Sequence, residues 1–380
     1  MWERSVQNGL LLVNVLNATA REQWNSFVSR WPDFELMQSY EWGEFKQSLG
    51  WKVVRLVVER DGQWIAGAQM LIKPLLSGLI SIVYVPRGPL LDWKDKAVVQ
   101  TLLSSMHSLA RQHRAIVLKI EPPIRYSPDM RQIFQSLGFR RSHFDNQPRC
   151  TMWIDLTFDL DTLFARMHKT TRYNIRFSAR QGVTVYKATV SDLDTFYHLL
   201  ELTATRSGFP VRSREYYRQE WDALAPHGYL ELFLARYQDE ILAVRIPAIF
   251  GNKAATLHSA SSDAYRELKP NELLMWESLR WAKSQGCTIY DVWGIPDQVG
   301  EHLYKGYPLP EEPRGGLWGV YNFKRGFGGD VVYYVGAYDS VYSPFWYWTL
   351  NTAMTKLGSL EKLAQLGDRL GLKADLGISI

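Results

Sequence analysis

An α/β protein built from two similar units is what the sequence predicts, and three observations carry that expectation. Leu56 to Ala68, two apolar runs turned at Asp61-Gly62, reads as a β-hairpin. Leu234 to Val244 reads as a second hairpin. Each hairpin is followed by the same series of strand, helix and strand, and the landmarks Arg60/Arg236 and Gln112/Gln285 repeat at the nearly equal offsets of 176 and 173. Two sheets of similar topology, each carrying a helix, leave a cleft where they meet, and ligand sites favour such junctions.

The elements follow in order. After the first hairpin, Ile80 to Val85 is a strand. Lys94 to His113 is an amphipathic helix with Val98, Leu102, Leu103, Met106, Leu109 and Ala110 on its apolar side. Ala115 to Ile120 closes the first series. Asp145-Asn-Gln-Pro148 breaks the pattern and sets the join near Thr151, before the strand Thr151 to Leu156. The second series continues with a strand at Ala254 to Ser259, a helix at Asn271 to Gln285 and a strand at Thr288 to Val292. Past Gly315-Gly316 come a helical turn and the strand Val331 to Tyr334. Ser343 to Trp348 then opens an aromatic, amphipathic helical tail reaching about Leu370, with Met354, Leu357, Leu360, Leu363, Leu366 and Leu370 on one stripe. The expected division is residues 1–150 with 317–342 in a first domain, 151–316 in a second, and 343–380 as the tail. That tail is expected to dock on the first domain's core or to rest at a membrane interface.

Composition excludes several classes. The 380 residues are 46% hydrophobic and 22% charged, ample for a sizeable core and unlike a disordered chain. Two cysteines, Cys150 and Cys287, make no disulfide framework and no zinc pattern, which suits a reducing compartment. Eight histidines are scattered without ligand spacing, so no metal and no cofactor is expected. Ile65 to Leu91 is interrupted by Lys73, Pro74, Pro86 and Arg87. It therefore falls short of a membrane span of about 20 apolar residues. The apolar stretch Leu10 to Leu16 carries Asn14 and lacks a cleavage site, so no secretory leader is expected. A cytoplasmic protein, soluble or peripheral to the membrane, is the resulting expectation.

The net charge of +5 is a mild tilt toward anionic partners. Its distribution is more telling: Lys169, Arg172, Arg176 and Arg180 stack along one helix face with no acid among them. The signatures GxxxxGK[ST], HExxH and GxSxG are all missing. Coenzyme A binding would call for a glycine-rich turn opening a helix, whose free amides hold the pyrophosphate. The second-unit helix is preceded instead by Tyr265-Arg-Glu-Leu-Lys-Pro-Asn271, and the first by Gly88-Pro-Leu-Leu-Asp-Trp93.

Seven segments in order carry a family resemblance. They are Gln38-Ser-Tyr-Glu-Trp-Gly-Glu-Phe-Lys46, Pro86-Arg-Gly-Pro89, Lys119-Ile-Glu-Pro122, Thr171-Arg-Tyr-Asn-Ile-Arg176, Asn271-Glu-Leu-Leu-Met-Trp276, Tyr290-Asp-Val-Trp-Gly294 and Asn322-Phe-Lys-Arg-Gly-Phe-Gly328. Together, from about Gln38 to Gly336, they resemble the Fem (FemABX) family of peptidoglycan bridge-forming aminoacyltransferases. The resemblance implies two acetyltransferase-like (GNAT-like) domains, and no heptad run between Thr151 and Gly316 suggests the inserted coiled-coil arm of longer members. It also implies transfer of an amino acid from aminoacyl-tRNA to an amine of a cell-wall precursor peptide, either UDP-MurNAc-pentapeptide or lipid II.

Residue by residue, Lys324 matches the catalytic lysine, whose fixed positive charge would stabilise an oxyanion. Phe323 stands beside it at the site, or is simply core. Lys46 and Arg212 match positions that hold the precursor diphosphate. Tyr216 lies one turn after Arg212, although Arg206, Arg214 and Arg218 compete for that assignment. Asp92 resembles a substrate-contacting aspartate, with a helix N-cap as its alternative. Compact members carry two tyrosines where this chain has Thr256 and His258, leaving His258 as a substrate-facing position. The stripe Lys169, Arg172, Arg176 and Arg180 becomes a surface for tRNA phosphates, or a set of salt bridges between domains. Two rivals stand beside this reading: an N-acyltransferase of the same fold acting on another amine or sugar, and a non-catalytic tRNA- or precursor-binding module.

Overall fold

The computed structural model describes residues 11–16, 20–33, 36–309 and 317–357. The first unit runs β1 (Leu12–Val15), α1 (Arg21–Ser29), α2 (Tyr40–Ser48), β2 (Lys52–Arg60), β3 (Gln63–Leu75), β4 (Ile80–Val85), α3 (Lys96–Gln112), β5 (Ala115–Ile120), α4 (Pro128–Ser136) and β6 (Arg140–Arg141). The second runs β7 (Cys150–Asp155), α5 (Leu160–Arg166), α6 (Lys169–Arg180), β8 (Thr184–Lys187), α7 (Leu193–Ser207), α8 (Arg214–Leu224), β9 (Phe233–Tyr237), β10 (Glu240–Phe250), β11 (Lys253–Ser261), α9 (Pro270–Ser284), β12 (Ile289–Asp291) and α10 (Asp297–Lys305). α11 (Trp318–Arg325), β13 (Asp330–Tyr333), β14 (Tyr338–Val341) and α12 (Pro344–Leu357) complete the described chain.

Both expected hairpins form. Asp61 and Gly62 both take positive φ, 52° and 76°, the geometry that matches a two-residue turn to the twist of β2 and β3. The sheets repeat one plan: an antiparallel meander, a helical crossover and a parallel strand. In the first sheet, ordered β1-β2-β3-β4-β5-β14-β6, only β4 and β5 are parallel, joined through α3. In the second, ordered β13-β7-β12-β11-β10-β9-β8, only β11 and β12 are parallel, joined through α9. α3 buries Val98, Leu102, Leu103, Met106 and Ala110 against the first sheet, the face its periodicity marks out.

The expected return of residues 317–342 to the first domain is corrected by strand pairing. β13 pairs antiparallel with β7 in the second sheet, and Tyr321 of α11 with Phe327 lies in the second core. Only β14 crosses back, pairing with β5 and β6. The chain therefore passes between units twice, from β6 into β7 and from β13 into β14. A strand of four residues looks alike in either sheet, so its sequence does not choose between them.

The units also share a core. Trp24, Phe27 and Phe45 from α1 and α2 pack in one cluster with Phe196 and Leu200 of α7, Leu224 of α8 and Ile246 of β10. Each such side chain, fully buried, contributes about 1.5–3 kcal/mol. α12 docks Tyr347 with Trp346 and Leu350 against Ile82, Ile116 and Val117 of the first sheet, while Phe345 and Trp348 are 67% and 66% exposed. The leucine stripe from residue 360 onward lies outside the described residues. No helix among the described residues is long and apolar enough to cross a membrane.

The turn after α11 explains the glycines of Phe323-Lys-Arg-Gly-Phe-Gly328. A Cβ on Gly326 would collide with Thr171 Oγ1, and one on Gly328 would stand 2.8 Å from the Arg166 carbonyl oxygen at φ 79°. Close backbone approach and a left-handed conformation together require glycine at position 328. Gly328→Ala is expected to cost about 1–3 kcal/mol, read as a lower denaturation midpoint in urea with an unchanged slope.

Candidate functional site

Lys324 sits in the last turn of α11, and its Nζ donates to the Gly294 carbonyl at 2.7 Å. Asp291 shapes the turn that presents this carbonyl. The Asp291 carboxylate is 2% exposed and accepts from Trp293 N at 2.7 Å, from Trp153 Nε1 at 3.3 Å and from Thr151 Oγ1. Trp293, held this way, takes φ 66° and turns the chain so that Gly294 faces the lysine. Burial pushes the Lys324 ammonium down to about 7; the Asp291 charge opposes that fall and the Arg245 charge adds to it. The positive charge read from sequence as fixed therefore titrates near neutrality. Burial likewise raises the Asp291 carboxyl, against the pull of Thr151, Arg87 and Lys324.

Around this pair stands a wall drawn from both units. The Arg87 guanidinium lies over the rings of Trp293 and Tyr334, 5.4 and 4.8 Å from their centroids. Tyr334 donates to Asp33 at 2.8 Å, and Arg125 lies 4.3 Å from the Trp153 ring. Arg245 is buried and donates to Thr256 Oγ1 at 3.0 Å; that oxygen is 2.9 Å from the Tyr290 hydroxyl. Sequence reasoning assigned no role to Asp291, Arg87, Arg245, Asp33 or Tyr334. A signal existed for two of them, since Asp291 and Arg87 are charged residues at the ends of apolar strands.

Lys46 and Tyr216 meet across the units. Lys46 Nζ donates to the Tyr216 hydroxyl at 3.1 Å and is ringed by Trp42, Phe45 and Tyr216. Of the competing arginines, Arg212 stands over Tyr216, 5.7 Å from the ring centroid. Arg206, Arg214 and Arg218 pair with Asp263, Asp194 and Asp222. The structure thus brings Lys46, Arg212 and Tyr216 into one cluster, with Ser213 capping α8 through Tyr216 N.

Other positions fall elsewhere. Phe323 packs its ring against Phe327 at 5.2 Å on the second core. Asp92 is exposed and accepts only from Lys94 N, at 2.9 Å, among the described contacts; the N-cap of α3 is Asp95, which accepts from Val98 N and pairs with Arg60. That corrects the capping alternative for Asp92. His258 Nε2 is 2.6 Å from the buried Glu220 carboxylate and edges against Tyr217. On α6, Lys169, Arg176 and Arg180 are exposed and Arg172 is half-buried. Arg172 donates to the Ala165 carbonyl and Arg176 covers Phe164, so neither bridges the two units through these contacts. The N-terminal end of the stripe abuts the lysine's turn, where His168 N donates to the Gly326 carbonyl at 2.9 Å. No group of residues able to hold a metal occurs among the described residues.

Two acetyltransferase-like units fused through a shared core, with a half-buried lysine and a buried carboxylate where they join, define a tandem member of that fold class. The chain belongs to the FemAB family, whose model matches residues 19–236 and 227–355. It is 25% identical over 398 aligned positions to the lipid II:glycine glycyltransferase of Staphylococcus aureus strain USA300, covering 84% of this chain and 91% of that protein. The same enzyme of strain Mu50 matches to the same extent. The crystal structure of FemX superposes with a TM-score of 0.76 at 22% identity, over 88% of this chain and 99% of that one. A tandem GNAT protein of clavulanic acid biosynthesis superposes at 0.53 with 13% identity, over 87% and 98%.

A lysine whose folded value is depressed binds fewer protons than the unfolded chain between about 7 and its ordinary 10.5. Its contribution to stability therefore rises with pH across that window, and the full cost of burying the charge applies below it. Lys324→Met is expected to flatten this rise, measured as urea stability of both proteins from pH 6.5 to 10.

Proposed function

We propose that the protein is a tRNA-dependent aminoacyltransferase that adds an amino acid to an amine of a peptidoglycan precursor peptide, as a step in interpeptide bridge formation. Family membership and the glycyltransferase relatives support the precursor as acceptor. The observation that carries the chemistry is Lys324, held by the Gly294 carbonyl and poised by Asp291.

In this reading the precursor amine attacks the ester carbonyl of the aminoacyl-tRNA. A C–N bond forms, the C–O bond to the ribose breaks, and the proton lost by the amine goes to the departing ribose oxygen. The tetrahedral oxyanion sits by the Lys324 ammonium, whose charge it stabilises in turn. No covalent enzyme intermediate is needed, because holding both substrates in register supplies much of the acceleration. Lys46 and Arg212 hold the precursor diphosphate. Lys169, Arg172, Arg176 and Arg180 bind tRNA phosphates from the rim beside the lysine's turn.

Transfer from tRNA rather than from coenzyme A is favoured by the two crossover helices. The first turn of α3 is capped by the Asp95 carboxylate, and α9 begins with Pro270 and carries Glu272 in its first turn. An acid at each N-terminus opposes a pyrophosphate there. Exposed Phe345 and Trp348 suit peripheral contact with the inner membrane face, where a lipid-linked acceptor would lie.

The deciding experiment incubates purified protein and precursor with aminoacyl-tRNA or with an acyl-coenzyme A. Product is expected from the first alone, and product from acyl-coenzyme A alone would overturn the reading. Lys324→Met should lower kcat at least ~10²-fold with precursor binding retained. The kcat/KM of the parent should decline with rising pH as Lys324 loses its proton, and Lys324→Arg, charged throughout, should abolish that decline. Phe345→Ser with Trp348→Ser should reduce co-flotation with anionic liposomes without changing the circular dichroism spectrum.

A further inference from the structure

Between the Lys46 cluster and the Arg87 wall lie two adjoining pockets that share one side chain, Gln147. The first is lined by Met37, Trp42, Lys46, Trp51, Tyr84 and Gln147. The second is lined by Arg87, Glu121, Pro122, Gln147, Pro148 and Tyr334. Gln147 is 7% exposed, and its Oε1 has no hydrogen-bond partner among the described residues. The indole Nε1 donors of Trp42 and Trp51, also buried, have none either. An uncompensated polar atom in such a place carries a desolvation cost, so it calls for a partner that the protein itself does not supply.

Which end of the Gln147 amide is left over follows from its neighbours. Glu121 accepts from the backbone N–H groups of Asn146 and Gln147 on Oε1, and from the Tyr84 hydroxyl on Oε2. With its proton committed to Glu121, the Tyr84 oxygen can only accept, and Gln147 Nε2 donates to it at 3.2 Å. The relay from Glu121 through Tyr84 orients the amide, so that Oε1 is the atom offered to the pockets. The first pocket thus has a cation and two indole donors in its lining, suited to oxyanions. The side chain shared by both pockets offers a single acceptor, suited to an N–H or O–H.

We propose that Gln147 is a specificity-determining residue that accepts a hydrogen bond from an N–H or O–H of the acylated amino sugar next to the precursor diphosphate. The inference rests on the proposed function for the ligand's identity. The indole donors of Trp42 and Trp51 complete the oxyanion end beside Lys46. The sugar then lies where the precursor leaves the phosphate end and turns toward Arg87, Asp291 and Lys324.

The test is calorimetric binding of UDP-MurNAc-pentapeptide and of UDP to the full chain and to Gln147→Met, with Gln147→Asn as the variant that keeps a buried amide but withdraws its oxygen. Both variants are expected to weaken the sugar-peptide ligand about tenfold, the scale of one buried hydrogen bond, and to leave UDP unchanged. Equal weakening of both ligands, or a weakening that tracks a fall in Tm, would assign Gln147 a structural role only and overturn the proposal. So would unchanged affinity for both, the result if water serves Oε1 in the complex. If the parent binds the sugar-peptide with this Gln147 dependence yet transfers nothing from aminoacyl-tRNA, the proposal stands and the proposed function falls. If the parent binds neither ligand, the proposal for Gln147 falls.

Discussion

The two units of this protein are held by a common hydrophobic core in which Trp24, Phe27 and Phe45 of the first interleave with Phe196, Leu224 and Ile246 of the second. Everything at the junction depends on that contact, because the polar groups there come from both sides. Lys46 reaches Tyr216 only if α2 and α8 pack together, and Ser48 reaches Gln219 at 2.9 Å by the same contact. The double crossing of the chain, β6 into β7 and β13 into β14, adds a covalent restraint to the apolar one. A cleft lined by two such tied units can hold two substrates in fixed relation, which is the main requirement of direct transfer between them.

Inside that frame the charges are balanced by neighbours rather than by solvent. Asp291 is the centre of the arrangement: it accepts three hydrogen bonds, bends the Trp293 turn and faces both Arg87 and Lys324. Removing water lowers the lysine's proton affinity, and the carboxylate returns part of it. Arg245, buried behind the Thr256–Tyr290 pair, pushes the other way. The same economy of partners governs the Glu121–Tyr84–Gln147 chain, where a fixed direction of donation leaves one acceptor exposed to the pockets.

Substitution of a tyrosine pair by Thr256 and His258 has a local explanation. Thr256 is taken up by Arg245 and Tyr290, and His258 by Glu220, so both serve polar contacts inside the second unit. Nearby, Arg206, Arg214 and Arg218 pair with Asp263, Asp194 and Asp222, and Arg212 stands over Tyr216 beside Lys46.

The sequence by itself determined the repeated strand–helix–strand plan, the Asp61-Gly62 turn, the buried face of α3 and the family segments. These are legible because periodicity, turn chemistry and glycine requirements act over a few neighbouring residues. Lys324 and Lys46 stood out as candidates through the segments that contain them, and Arg212 through its one-turn spacing to Tyr216. Only the tertiary structure decided that β13 belongs to the second sheet, since a strand's partner depends on edges formed by residues far away. It also decided that Asp95 rather than Asp92 caps α3, that Lys324 titrates near neutrality, and that Asp291, Arg87 and Gln147 matter at the junction. A residue's charge state and its unmet hydrogen bonds are set by what surrounds it in space, and those surroundings are drawn here from segments up to three hundred residues apart, as Asp33 and Tyr334 are.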